Sequence, residues 1–423
     1  MRKRAYGAVA VNHVDVEQLC QGRDGQPASV GFDVGKYEVL GVVRWSADDF
    51  ERPWRVANPT QIPAAVAVLR GLGQGRALQV AMEPSGTYGD ALRQALADAG
   101  IEVRRVHPKA AHDYAEVFDG VPSQHDGKDA AVVAELAALG KSRAWPYAPV
   151  SEWEQELAYW VDEVEAWRRV ASWWLGRLEG LLARHWPEVT PRILKVSSAT
   201  LLRALAAYGG PAELAADPRA AEQLTLWGGS RLRPEKVAQV LASARGTLGV
   251  RLGALERRRL QELAQRARAA RGAVRHGQQQ LRRLAKDHAL LQAQGQAVGV
   301  PTACVLWTSV GDPRDYHCGG AYRKAMGLNL AERSSGTHEG QLKISKRGSA
   351  RARQWLYFAA LRLLQQSGLR GWYEAKKARD GDEAMRAVVA IMRKLVLGLY
   401  QVAVHNETWN AAKIFPGAPR LRH

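Results

Sequence analysis

The spacing of apolar residues changes twice along the chain. From residue 30 to 148, short apolar runs alternate with segments of helical period. Val30-Gly-Phe-Asp-Val34 reads as a strand, and residues 37–45 as its hairpin partner after Gly35. Residues 63–72, 88–99 and 126–139 carry helical patterns, the last two stopped by Gly100 and Gly140. Residues 77–83 and 101–106 read as buried strands. Strands alternating with helices predict an α/β domain. Residues 1–29 lack such a pattern and read as a loose extension.

The middle of the chain is helical. Trp153, Trp160, Trp167 and Trp174 recur every seven residues, and Leu157, Val164, Ala171 and Leu178 follow each by four. This is a heptad seam, ended by Pro187. A second long helix is predicted over residues 234–291, with small residues such as Ala267, Ala270 and Gly277 in its seam. Four tryptophans need small partners in a close-packed core. The two helices are therefore expected to pack on each other or on copies in another subunit. Residues 188–233 read as a helical insert. After residue 295 a mainly helical region follows, with an irregular stretch over residues 328–346.

Composition narrows the function. The 423 residues hold 60 Lys and Arg against 42 Asp and Glu, a formal net charge of +18, which makes nucleic acid the leading partner. Three scattered cysteines fit neither a disulfide framework nor a zinc site, and agree with a reducing cytoplasm. Neither a secretion signal nor an uncharged apolar run of about 20 residues is evident, so no membrane role is expected. Arg257, Arg258, Arg259, Arg266, Arg268, Arg271, Arg275, Arg282 and Arg283 load the second long helix with more charge than solubility requires, and arginine suits phosphate.

Four carboxylates stand out by position. Asp33 lies inside an apolar strand, Glu83 ends another, and Asp126 and Asp129 share one face at the start of a helix. A carboxylate in an apolar strand is costly to bury unless it is paired or binds a metal. Three elements could bring such groups to the carboxyl edge of a sheet, where Mg²⁺ would relieve their repulsion and bridge a substrate phosphate. Taken alone, Asp126 could be a plain helix cap and Asp129 a first-turn acid favoured by the helix dipole.

The set Asp33, Glu83, Asp126-x-x-Asp129 resembles the DEDD site of RuvC-type RNase H-like proteins. Gly31-Phe-Asp-Val-Gly-Lys36, Glu83-Pro-Ser-Gly-Thr-Tyr-Gly89 and Asp126-Gly-Lys-Asp-Ala130 are more closely similar to the DEDD transposases of one bacterial insertion-sequence family, which includes the Piv-type invertases. His125 stands where that family commonly has lysine.

A second constellation is Ser334-Ser-Gly336, followed by Lys343-Ile-Ser-Lys-Arg-Gly348. From 341 to 364 there are six basic residues (Lys343, Lys346, Arg347, Arg351, Arg353, Arg362) and no acid. On chemistry alone this is either a nucleophilic serine or a loop that only contacts phosphate. Ser345 and Ser349 read as caps or phosphate contacts. The stretch is similar to the C-terminal transposase domain of the same family, which implies Ser335 as nucleophile, with the adjacent Ser334 as the alternative. Residues 297–303 resemble that family's helix-hairpin-helix-like segment, with Ala297 where glycine is usual.

The expected architecture is α/β plus α: an extension over residues 1–29, a RuvC-like DEDD domain over 30–148, a coiled-coil domain over 149–292 and a serine-bearing domain over 293–423. The resemblance implies a transposase or site-specific recombinase with Mg²⁺, or Mn²⁺ in its place, held by Asp33, Glu83, Asp126 and Asp129. Ser335 would form a covalent phosphoserine bond to DNA. Donor and target DNA, a structured bridge RNA as guide, and a homodimer or homotetramer are the implied partners. Lys343, Lys346, Arg347, Arg351, Arg353, Arg257, Arg258, Arg266, Arg271 and Arg275 are the candidate nucleic-acid contacts. The alternatives are a junction-resolving nuclease with a water nucleophile and a non-catalytic nucleic-acid-binding scaffold.

Overall fold

The structure is a computed structural model that describes residues 7–118, 126–148, 150–190, 192–332, 342–365 and 367–416. The chain forms two compact units, residues 1–149 and 150–423.

The first unit is built from β1 (Val9–Ala10), α1 (Val16–Cys20), β2 (Ala28–Val34), β3 (Glu38–Ser46), β4 (Asp49–Phe50), β5 (Trp54–Ala57), α2 (Ile62–Leu72), β6 (Leu78–Met82), α3 (Asp90–Asp98), β7 (Val103–Val106), α4 (Pro108–Phe118), α5 (Asp126–Ala138) and β8 (Ser142–Ala144). Among the described residues the strands make one mixed sheet in the order β1-β5-β3-β2-β6-β7-β8, with β4 paired to β3. Its centre, β2-β6-β7, is parallel. Residues 7–29 are not loose: β1 pairs with β5, and Val11 is buried against the sheet.

Two faces follow from the strand period. Val30, Phe32 and Val34 join Val80 and Met82 in a core with Leu69 of α2 and Leu96 of α3. On the opposite face, Leu40 and Val42 meet Ala130 and Ala131 of α5, and Ala81 meets Val132, Val133 and Leu136. Every residue of α5 from Gly127 to Ala137 is buried except Asp129. A buried helix has no use for amphipathic spacing, which is why its Ala-Val run shows so little of it.

The second unit contains α6 (Glu152–His185), α7 (Ala199–Tyr208), α8 (Pro211–Ala216), α9 (Ala220–Gly228), α10 (Pro234–Arg245), α11 (Ala254–Leu284), α12 (Ala289–Val298), α13 (Val300–Val310), α14 (Gly319–Ala325), β9 (Leu330–Ala331), β10 (Lys343–Ile344), α15 (Ala350–Leu364), α16 (Ser367–Arg379), α17 (Ala384–His405) and α18 (Ala411–Ile414). Ser151 and Glu154 close a capping box at the start of α6. The helix predicted over residues 234–291 is three helices, α10, α11 and α12. The Gly246-to-Gly253 stretch, with four glycine or threonine breakers, interrupts it.

α6 and α11 do pack on each other within one chain. Leu157, Val161, Val164, Ala171 and Leu178 form the buried seam, whereas Trp167 is 38% exposed and donates to Glu163. The tryptophans therefore flank the seam rather than fill it. Close approach is made at Gly277, where a Cβ would lie 2.6 Å from Val164 Cγ2. Val164 is fully buried and branched, so it cannot give way. Gly277→Val is expected to destabilise the protein by about 2 kcal/mol through overpacking. Gly272→Ala, whose Cβ meets only the tip of Arg275 at 3.9 Å, is expected to stabilise by up to about 1 kcal/mol. Urea unfolding of the two variants checks both signs.

One continuous core joins Leu157, Val161, Val164 and Leu281 of this pair to α13, α15 and α17. The helix α17 is long and apolar enough to cross a membrane, yet 56% of its apolar stretch is buried inside the protein.

Candidate active site

β2 and β6 are parallel neighbours in which Phe32 pairs with Met82. Asp33 is the next residue of β2, and Glu83 is the first residue after β6. The two carboxylates thus leave adjacent strands side by side at the carboxyl end of the sheet. Asp33 shares its face with Gly31, by the two-residue period. α5 crosses the sheet on that face. It lies so close that a Cβ on Gly31 would strike the backbone of Ala130 and Ala134. A turn before those alanines, α5 begins with Asp126 and Asp129, which the i, i+3 spacing puts on one side. One ligand oxygen from each of Asp33, Asp126 and Asp129 lies within 4.8 Å of the others.

Electrostatics show the strain of this arrangement. Burial, then Asp129, Asp126 and Glu83, push the Asp33 carboxyl up to about 6. Burial and Asp129 also raise Glu83, with His112 partly offsetting them. Glu83 is thus electrically part of the cluster although it is not one of the three closest acids. The donor set is all oxygen, with Asp126 exposed and Asp33 and Asp129 half-buried. Hard, open, oxygen-only sites suit Mg²⁺, which keeps some of its waters. The residues present fit such an ion.

Three supporting groups escaped the sequence reading. His112 stands on α4, a helix that begins at Pro108 directly after the strand predicted over residues 101–106; proline at the first helical position is a helix start. Arg44 of β3 and Glu135 of α5 form an ion pair whose side chains are 13% and 10% exposed, clamping the helix to the sheet. Glu135 could have been found as the lone carboxylate of an apolar run. Lys128, fully buried beside Asp129, is the third.

Ser334, Ser335 and His125 lie outside the described residues. Ser349 caps α15, accepting from the Ala352 N–H at 3.1 Å, and Ser345 accepts from the Arg347 N–H at 3.3 Å. Lys343, Lys346 and Arg347 are exposed. Arg353 donates to the Lys346 carbonyl. Arg351 pairs with Asp162 at 2.7 Å and Glu165 at 3.2 Å, and Glu165 also accepts from the Trp355 indole at 2.7 Å. Arg362 donates to the Val298 carbonyl and the Thr302 hydroxyl, bracing the turn between α12 and α13. On α11, Arg257 pairs with Glu213, Arg258 with Glu262, and Arg266 with Glu262 while covering the Trp174 ring. Arg271 is half-buried, with burial and Arg275 lowering its pKa, and Arg275 is exposed.

Two family models match the chain. A transposase model of the DEDD IS110 type matches residues 30–187, and one described as the transposase IS116/IS110/IS902 family matches residues 287–376. The first span contains all four clustered acids, and the second contains the serine-bearing segment. No curated protein matches the chain.

Proposed function

The chain belongs to the DEDD-type insertion-sequence transposases, enzymes that act on DNA, and we propose that it cuts and rejoins strands with a Mg²⁺ centre and a serine nucleophile. The observation that carries this reading is the Asp33, Asp126 and Asp129 cluster within 4.8 Å, with Glu83 coupled to it. Asp33, Glu83, Asp126 and Asp129 would hold Mg²⁺ or Mn²⁺. When bound, the metal supplies positive charge at the scissile phosphate. The carboxylates fix where that phosphate sits, and α5, clamped by Arg44, fixes the carboxylates.

Ser335 supplies the attacking hydroxyl in this reading. A bond forms from its Oγ to phosphorus, the bond from phosphorus to the leaving sugar oxygen breaks, and the serine proton passes to a base. The leaving oxygen takes up a proton. Attack by another strand's hydroxyl reverses these changes, so no phosphodiester is lost. A structured bridge RNA as guide, and a dimer or tetramer to serve several strands, belong to the same reading and rest on the resemblance described above. The exposed arginines of α11 are compatible with that RNA.

The test is a covalent adduct. Protein expressed with its native flanking DNA and Mg²⁺ is denatured and examined for DNA attached to the chain. Wild type is expected to carry an adduct, Ser335→Ala to lose it by at least about a hundredfold, and Ser334→Ala to retain it. Cut DNA with free ends and no adduct in all three proteins would instead establish a water-using nuclease.

A further inference from the structure

A cleft in the second unit, about 970 Å³ in volume, lies between α14, α16 and α17. Its walls carry Arg323, Lys376, Arg379, Arg393 and Lys394 around the Trp372 ring. Lys376 is balanced by Asp380 at 2.6 Å. Arg323, Arg379, Arg393 and Lys394 have no carboxylate partner among the described residues. Lys394 donates to the Ile414 carbonyl at 3.0 Å and stands near the Trp372 and Phe415 rings. The Nε atoms of Arg323 and Arg393 are both buried and without a hydrogen-bond acceptor among the described residues.

This arrangement works against folding. A buried donor left unpaired is costly, and two guanidiniums facing one cleft repel. Burial and the nearby Arg323 charge lower the pKa of Arg393. Such a site makes sense if an anion completes it. Guanidinium forks match phosphate oxygens two at a time. The cleft is open, so it admits a strand that passes through rather than only a small ion.

We propose that this cleft is a phosphate-binding site for the backbone of the DNA on which the chain acts, with Arg323 and Arg393 as its two central contacts. The identity of the strand as DNA rests on the transposase reading; the anion site rests on the cleft itself. The site contains none of the residues matched to the chemistry above.

The experiment is a salt titration of binding, using the full chain, an arbitrary 30-base-pair DNA duplex and an RNA of equal length. Each lost phosphate contact lowers the slope of log K against log salt by about 0.9. Arg323→Gln with Arg393→Gln is expected to weaken binding most at low salt and to lower the duplex slope by about 1.8, so that affinity falls roughly tenfold less than in wild type between 50 and 200 mM salt. Because the two charges repel, the melting temperature without DNA is expected to stay level or rise. The rim variant Arg379→Gln gives an independent loss of about 0.9 in slope. An unchanged duplex slope in both variants would overturn the proposal. A loss confined to RNA would also overturn it, by assigning the cleft to RNA. Binding slopes measured without divalent cation need no cutting, joining or metal centre, so Asp33→Asn as background separates this result from failure of the serine chemistry. A wild-type slope retained in Asp33→Asn, but reduced once the arginine changes are added, supports the cleft whatever becomes of the nucleophile.

Discussion

Asp33→Asn is expected to abolish strand cutting while making the metal-free protein more stable. The loss follows from position. Asp33 is the acid against which Asp126, Asp129 and Glu83 all converge, and removing a proposed metal ligand is expected to cost several kcal/mol of transition-state stabilisation, on the order of a thousandfold in rate. Without divalent cation, DNA binding should change less than about twofold, since no basic side chain is removed. The gain in stability follows from the sign of the shift. The folded state holds the Asp33 proton up to about pH 6, well above its ordinary 3.8. Between these values the folded chain binds a proton that the unfolded chain has released, so stability falls as pH rises. Below the window there is no cost, and above it the cost is constant. After discounting for the partial exposure of the site, the cost is about 1–2 kcal/mol at pH 7. Asp33→Asn should therefore melt several degrees higher without metal at pH 7 and show little gain at pH 4. Equal melting temperatures at both pH values would remove the electrostatic account of the cluster.

Gly31→Ala is expected to be the most damaging one-methyl change in the first unit. Glycine inside a strand marks a place where another backbone comes close, and here both obstacles are backbone atoms of α5. Neither can rotate away. The helix must lift, and Asp126 and Asp129 lift with it. A cost of about 3 kcal/mol is expected, together with loss of metal-dependent activity even under conditions where the variant is folded. Gly89→Ala is the control, because its Cβ would meet Met82 and Val34 at ordinary distances of 3.6 Å. Urea unfolding distinguishes the two. A Gly31→Ala protein as stable and active as wild type would contradict the helix-on-strand packing that builds the site.

The acids were legible in the sequence because a carboxylate inside an apolar strand is expensive, and the cost marks it. Asp33 and Glu83 stood out for that reason. Asp126 and Asp129 were legible only as a spacing; what makes them converge on Asp33 is the missing side chain at Gly31. His112 and Arg44 could not be found in the same way, since exposed histidines and single arginines carry no local signal. The tryptophan heptad was visible, but its burial was not. The distance between α6 and α11 is set by Gly277 and Val164, and at that distance indole rings fit only along the flanks. The cleft of Arg323 and Arg393 is built from residues seventy apart on different helices, and no pattern in the chain announces such a meeting.

Asp33, Glu83, Asp126 and Asp129 are proposed to form one divalent-cation site. Mn²⁺ binding to the full chain, followed by calorimetry at pH 6, tests it most directly. Saturable binding is expected, with release of about half a proton per chain, since Asp33 with its carboxyl pushed up to about 6 is half-protonated there. In Asp33→Asn, binding should weaken at least about tenfold and the proton release should fall well below that of wild type. Mn²⁺ bound equally well by wild type and Asp33→Asn, with no proton released by either, would contradict it.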